Sequence, residues 1–382
     1  MKKAVGFILV IISISFIVIN FGCINPSAQN NKPSTGSSAS SLSLSSSSSS
    51  SSASSLSSSS SSSSSSDFVT VWSTLNTSTG STASNQIQLP LESSGVYNFT
   101  VYWGDGNSDT ITAWDSPKTT HTYASTGTYT VTIRGTIKGF SFNNSGDCLK
   151  LLVISSWGGL NFGNSGSYFA GANNLEITAT DTPDLTGTTN LGGMFDGCNK
   201  LTTVPNMNTW NVSNVTDMSY MFSGASSFNQ NIGSWNVSNV TNMECMLSYT
   251  HFNQDIASWN VSNVTNMSLM FYGATSFNQN IGSWNVSNVK NMSDMFLGAS
   301  VFNQNIGTWN ISNVTDMQDM FSGLTLSTSN YSAILIGWAG LPSLKSNVLF
   351  DAGFSKYNAG AAAARNTLVS TYGWNISDGG LE

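Results

Sequence analysis

Charge is scarce in this chain. Only 8% of the 382 residues are Asp, Glu, Lys or Arg, against about 25% in an ordinary soluble domain. The net charge is −7, so no basic field exists to hold nucleic acid. Histidine is scarcer still. His121 follows a strand pattern as a structural residue, and His251 takes a slot filled elsewhere by Ser227, Ser276 and Val301. Neither stands by a serine or cysteine in a nucleophile motif, and Gly163-Asn164-Ser165-Gly166 is linker-like text with the wrong spacing. The four cysteines, Cys23, Cys148, Cys198 and Cys245, offer no pair at metal-ligand spacing. The acids Asp217, Asp255, Asp294, Asp316 and Asp319 are scattered substitutions, not the fixed pair that a glycosidase needs. Asp105, Asp109 and Asp115 could hold loop Ca²⁺, but turn formation accounts for them more simply. The expectation is a protein without enzyme chemistry, metal or cofactor. In place of charge stand Ser, Thr, Asn and Gly, a composition suited to an outer surface.

The only long apolar run is at the start. Met1-Lys2-Lys3 precede Ala4 to Ile19, and Gly22-Cys23 close the segment. This resembles a bacterial lipoprotein signal, which implies export, cleavage and lipidation of Cys23. It departs from the usual lipobox in carrying Asn20 three residues before the cysteine. Ordinary secretion or an uncleaved anchor are the alternatives. Residues 24–66 are chiefly serine. Such text cannot bury enough apolar surface to offset chain ordering and is predicted to be a disordered stalk.

From Asp67 to Lys138 the words VYNFTVYWGDG and GTYTVTIRG alternate apolar with polar residues, the period of half-buried strands. The W-G-D-G turn, the H-T-Y and the G-x-Y-x-V strand, in that order, resemble a PKD-type domain. The resemblance implies an immunoglobulin-like β-sandwich over 67–138, used as a spacer or contact module, with Trp103, Tyr123 and Tyr129 in its core.

The remainder is dominated by repetition. FNQNIGSWNVSNVTNM at Phe228 returns in near copy at Phe252, Phe277 and Phe302. The tryptophans Trp210, Trp235, Trp259, Trp284 and Trp309 recur every 24 or 25 residues. A period of this length lies in the leucine-rich-repeat range, too short for paired long helices. One unit alone has too small an apolar face to fold, so neighbours must bury each other's surfaces. The five tryptophans are therefore expected in the core. A strand is predicted near Asn229–Trp235, and a short helical side over S-N-V-T-x-M-x-x-M-F. Equivalent asparagines should stack in columns, Asn229, Asn253, Asn278 and Asn303 in one, Asn236, Asn260, Asn285 and Asn310 in another. A repeated amide can supply its neighbour with both donor and acceptor. The columns are read as structural, with exposure to a ligand as the alternative. The N-x-S/T words are read the same way rather than as glycosylation sites. Positions that change between units are freer to make contacts. Tyr220, Cys245, Leu269, Asp294 and Asp319 share one such slot; Ser223, Ser248, Tyr272, Leu297 and Ser322 share another. Tyr220, Tyr272 and Leu297 are the candidate contact surface.

The unit W-N-V-S-N-V-T-N-M-x-x-M-F-x-G-A-x-x-F-N-Q-x-I resembles the BspA-type leucine-rich-like repeat of bacterial surface proteins. The resemblance implies a lipid-anchored display protein with adhesive or host- and matrix-binding roles in some members. The expected fold is mainly β with short helices: a PKD-like sandwich at 67–138, a leucine-rich-repeat-like solenoid at 139–325 with clear repeats at 194–322, and a C-terminal cap at 326–382. The cap is predicted to hold a helix over Ala359–Thr371, stopped at Gly373. The expected partners are a lipid bilayer through the Cys23 acyl groups and a host or matrix protein or glycan, with no nucleic acid and a monomeric chain. A carbohydrate-binding module using exposed aromatic rings and a structural envelope component without a ligand are the rival readings.

Overall fold

The structure is a computed structural model and describes residues 67–382. The signal-like segment 1–23, with Cys23, and the serine tract 24–66 lie outside the described residues. Regular structure is mainly β, with few and short helices.

The first half builds a seven-stranded sheet and a separate two-stranded pair from nine strands. β1 (Phe68–Ser73), β2 (Gln86–Gln88), β3 (Val96–Tyr102), β4 (Ser108–Ile111), β5 (Thr120–Thr122) and β6 (Thr128–Lys138) come from the alternating text. The later strands β7 (Leu151–Ser156), β8 (Leu160–Asn161) and β9 (Glu176–Ile177) follow. The large sheet runs β4-β3-β6-β1-β7-β9, with β8 on β6 and with β2 and β5 paired separately. β1 lies antiparallel between β6 and β7, so that Trp72 sits opposite Tyr129 on one side and Leu151 on the other. The expected boundary after Lys138 is therefore crossed. Three strands from the segment assigned to the array complete the sheet, because β1 would otherwise be an unpaired edge next to a hydrophobic chain. The predicted core residues Trp103 and Tyr123 are buried, and Tyr129 is half-buried against them.

A buried ion pair, which the sequence did not flag, fastens this junction. The Lys150 ammonium is 0% exposed and lies 3.1 Å from Asp147. It donates to the Ala83, Gln86 and Thr82 carbonyls and to the Thr82 hydroxyl at 2.7–3.0 Å. Asp147 in turn accepts from the Thr82 and Gln88 backbone N–H groups at 2.8 Å. Every charge here is satisfied, which is what burial demands.

Beyond this sheet the repeats stack one on the next. Each unit contacts its successor through single parallel bridges, Asn190 to Asp217, Asp217 to Asn242, Asn242 to Asn266, Asn266 to Asn291 and Asn291 to Asp316. Around each bridge, alternate backbone N–H groups leave the unit. Met243, Cys245 and Leu247 donate to the carbonyls of Asn266, Ser268 and Met270, each at 3.0 Å. The N–H groups between them turn inward, as when Met246 donates to Met243 at 3.2 Å. The M-x-x-M-F text is thus a series of turns and not the predicted helix: residues at the Cys245 slot have φ of 53–58°, which no α-helix tolerates. No strand forms at 229–235 either; the lateral pairing falls on the Thr-Asn-Met words instead.

Inside, identical rings lie over one another. Trp259, Trp284 and Trp309 stack at 6.4 Å spacing and within 6° of parallel. Phe271, Phe296 and Phe321 stack at 5.4–5.5 Å. All five repeat tryptophans are at most 3% exposed. Each indole N–H in the column is spent on the unit before: Trp235 on Met207, Trp259 on Ile232, Trp284 on Ile256 and Trp309 on Ile281, at 2.8–3.1 Å. The column's first member, Trp210, finds no such carbonyl and its N–H is buried without a partner. One continuous core runs from Phe68 to Trp374.

The last unit is covered by α1 (Thr328–Ala339), α2 (Ala362–Tyr372) and the parallel pair β10 (Leu349–Asp351) and β11 (Asn375–Ser377). Ser327 caps α1 by accepting from the Asn330 N–H at 3.3 Å. Trp338 of α1 occupies the next place in the indole column and donates to the Ile306 carbonyl at 3.3 Å. The predicted helix at 359–371 is a 3-10 turn at Ala359–Ala361 leading into α2, and Gly373 ends it with φ 69°.

Trp284→Ala removes a ring from the middle of the column and is expected to lower stability by about 3–5 kcal/mol. Trp284→Phe, which keeps a ring but gives up the indole hydrogen bond, should lose less. Urea unfolding followed by circular dichroism reads both, and a midpoint for Trp284→Ala equal to wild type would contradict the stacked core.

Candidate interaction surface

The asparagines answer to two separate needs. In the first column, each side-chain oxygen accepts the backbone N–H of the next unit: Asn229 from Asn253, Asn253 from Asn278, Asn278 from Asn303, and Asn303 from Ser327, at 2.9–3.0 Å. The following Gln254, Gln279 and Gln304 donate their amides to the same oxygens at 2.9–3.1 Å. The column exists, but each asparagine side chain bonds the next unit's backbone N–H and glutamine amide rather than the next asparagine's side chain. Asn236, Asn260, Asn285 and Asn310 form no column of contacts. Each accepts the N–H two residues on, at 3.1–3.2 Å, closing an Asx turn in its own unit. A third set, Asn239, Asn263, Asn288 and Asn313, donates to serine carbonyls of the preceding unit at 2.7–2.8 Å. Composition alone could not separate these roles, because all three sets carry the same letter.

The slot of Tyr220, Cys245, Leu269, Asp294 and Asp319 is constrained rather than free. All five residues have left-handed φ, which aims their N–H groups at the next unit, as in Tyr220 to the Glu244 carbonyl at 2.8 Å and Asp294 to Gln318 at 2.8 Å. The backbone is held by these bonds, while the side chain differs from unit to unit and packs beside its neighbours to different depths, from the buried Cys245 to the partly buried Tyr220 and Leu269. The expected exposed pair of Tyr272 and Leu297 is corrected here. Tyr272 is 4% exposed and packs with Cys245, flanked by the partly buried Tyr220, Leu269 and Leu297. Rings and aliphatic side chains on neighbouring units close over each other, an outcome that depends on the 24- or 25-residue offset between them. Tyr220 also donates to the Glu244 carboxylate at 3.2 Å, and burial pushes its hydroxyl up to about 12. The exposed ring on this face is Tyr249, which sequence reasoning missed. It is 43% exposed, sits at φ 54° where other units have Gly224, Gly273 and Gly298, and meets Tyr272 edge-on at 4.8 Å. Its signal was the loss of glycine from the G-A word.

The W-G-D-G turn is also structural in its contacts. His121 lies flat on Trp103 at 4.9 Å and bonds Asp105 at 2.8 Å. Burial opposes ionisation of Asp105, but His121 and Asn107 outweigh it and hold the carboxyl down at about 2. Asp109 accepts the Trp103 indole N–H at 3.1 Å and pairs with Lys118 at 3.5 Å. Gly104 has φ 84°, and a β-carbon there would meet the Thr130 carbonyl at 2.5 Å, so only glycine fits. Asp115 stands apart from this group on an exposed loop. Ser165 donates to Glu92, whose carboxyl burial raises, while His251 is exposed. Cys148 and Cys198 are free, buried thiols pushed up by desolvation. Among the described residues no three His, Cys, Asp or Glu side chains converge, and no helix is long and apolar enough to cross a membrane.

Asp294 has a measurable consequence. Half-burial, with Asp319 and Asp316 nearby, pushes its carboxyl up to about 6 from an ordinary 3.8. Between those values the folded chain holds a proton that the unfolded chain has released, so stability falls as pH rises from about 4 to about 6 and stays lower above. Asp294→Asn should flatten that part of the profile and stabilise the protein at pH 7 by about 1 kcal/mol, a figure discounted for solvent screening. Thermal melts of both proteins between pH 4 and 7 check this; parallel profiles would contradict it.

Residues 164–256 and 247–334 match a family model described as a Mycoplasma protein of unknown function, DUF285. No curated protein and no solved structure matches the chain. The similarity thus covers the repeated units and the start of the cap.

Proposed function

We propose that this chain is a bacterial surface lipoprotein that displays a repeat solenoid for adhesion to a host or matrix component. In this reading Cys23 carries the lipid anchor, residues 24–66 form the stalk, a PKD-like sandwich acts as spacer, and a BspA-type, leucine-rich-repeat-like solenoid offers the contact face. The chain performs no catalysis and acts as a monomer outside the cell.

The single observation that carries the reading is the inter-unit ladder. Backbone, Asn and Trp hydrogen bonds repeat from unit to unit, so the outer face is a periodic, sparsely charged surface that can change its side chains without changing its backbone. Such a surface suits broad protein contacts, where adaptable hydrogen-bonding groups and a few aromatic side chains supply specificity. The half-buried Tyr220 and Leu297 and the exposed Tyr249 mark the contact face; Tyr272 supports it from beneath. The rival in which the repeat tryptophans form a sugar-stacking platform is weakened by their burial.

Palmitate labelling of cells producing wild type and Cys23→Ala tests the anchor: wild type should label and the variant should not. Solid-phase binding of the full-length protein to immobilised matrix proteins tests the display role. Tyr249→Ser should weaken that attachment several-fold, and attachment unchanged by Tyr249→Ser would remove the proposed contact face.

A further inference from the structure

Of the eleven tryptophans, ten are at most 3% exposed, and Trp114 alone is 48% exposed. The chain goes to some length to hide indole, spending its N–H groups on carbonyls in the repeats. An indole left in water on the same molecule therefore calls for a reason.

Trp114 does not hang on a slack loop. It lies between β4 and the 3-10 turn at Pro117–Thr119, whose backbone is fixed locally. Ser116 accepts from the Lys118 N–H at 3.3 Å, and the Thr119 hydroxyl donates to the Ser116 carbonyl at 2.9 Å. The Thr119 carbonyl then accepts from the Leu89 N–H at 3.0 Å, tying the loop to the neighbouring chain. Beside the ring opens a cavity of about 410 Å³, within the range that holds small ligands. Leu89 and Phe142 form its apolar floor, and Gln88, Thr120 and Asp115 supply polar groups at its wall. Gln88 and Thr120 are opposed in the β2–β5 pair, so their spacing is set by the ladder. The Gln88 backbone is pinned by Asp147 at 2.8 Å, while the Gln88 amide and the Asp115 carboxylate are spent on no protein hydrogen bond. Lys118, the nearest cation along the loop, is turned to Asp109 at 3.5 Å.

We infer that this cavity is a binding subsite for a neutral glycan, with a pyranose ring stacked on Trp114 and its hydroxyls bonded to Asp115 and Gln88. A flat indole matches the C–H face of a sugar ring, and a carboxylate beside an amide matches vicinal hydroxyls, which both donate and accept. The same carboxylate, in a chain of net charge −7, opposes phosphate and so disfavours a nucleotide. The site rests on the surface-display reading only for access to external glycans, and it adds the ligand class that reading leaves open.

The test uses the full-length protein in detergent with chito-, cello- and manno-oligosaccharides at millimolar concentration. Isothermal titration should detect binding to at least one series. Trp114→Ala should weaken that binding about tenfold or more, the loss expected for a central aromatic contact, and Gln88→Ala should weaken it less. Both positions are exposed, so far-ultraviolet circular dichroism and the melting temperature should match wild type. Iodide should quench only the Trp114 fraction of the fluorescence, and the bound oligosaccharide should shield it. The inference is overturned if none of the three series binds, if Trp114→Ala binds as wild type does, or if saturating sugar leaves quenching unchanged. Palmitate labelling and matrix attachment are read separately, so failure of the anchor or of the display face leaves these sugar results interpretable.

Discussion

Along its bridging stretch every repeat sends alternate backbone N–H groups to the next unit. At Met243, Cys245 and Leu247 the N–H groups point out of their own unit and find carbonyls only in the next. An unpaired buried N–H is costly, so no unit is satisfied until another lies against it. The ring columns and the indole bonds follow the same rule, since each needs a copy of itself one unit away. This mutual dependence accounts for both ends of the stack. At one end Trp157 meets Trp210 edge-on at 5.7 Å, in the region where β7 and β9 join the sheet. At the other, the Trp338 indole bonds the Ile306 carbonyl and Phe350 meets the last phenylalanine, Phe321, edge-on at 6.1 Å.

The same constraint divides the surface into fixed and variable parts. The Asx-turn asparagines and the Thr216, Thr241 and Thr265 hydroxyls, which donate to the unit before at 3.1–3.2 Å, are committed to the coil. The left-handed slot is committed in backbone but not in side chain, and so accommodates Tyr, Cys, Leu and Asp in turn. A left-handed residue other than glycine costs roughly 1–2 kcal/mol, which the donated N–H bonds help to offset. A display surface built this way can change its chemistry without disturbing its supports. That property makes the adhesive proposal physically economical.

Charge plays a small part and a local one. Among the described residues, Lys150 with Asp147 and Arg365 with Asp378 at 2.7 Å are the Lys and Arg ion pairs that lie largely out of water, and each fastens a junction, the first at the sheet and the second in the cap. Arg365 also reaches the Ile376 carbonyl at 3.3 Å, and Tyr331 of α1 donates to the same Asp378 carboxylate at 2.7 Å. With so little charge elsewhere, recognition falls to hydroxyls, amides and the few rings left in water. Trp114 and Tyr249 are the most informative of these. One lies on a braced loop beside a cavity, and the other replaces a glycine whose conformation it must copy.

Much of this was written in the letters themselves. The period of Trp210, Trp235, Trp259, Trp284 and Trp309 required stacked units with buried indoles, because a lone unit cannot satisfy itself. The alternation in VYNFTVYW required a strand, and Gly373 required the end of a helix. The tertiary structure decided the rest. Which asparagine bonds a neighbour and which bonds itself depends on distances between units, to which a single letter is blind. Tyr272 is buried and Tyr249 exposed because they hold different slots of the unit, Tyr249 that of a left-handed glycine, not because of hydropathy, which is the same for both. β7 belongs to the sheet and not to the repeats because an open edge at β1 lay within reach, a fact fixed only when the chain returns in space. Periodicity along a chain specifies what must be repeated; only packing across it specifies what is left facing water.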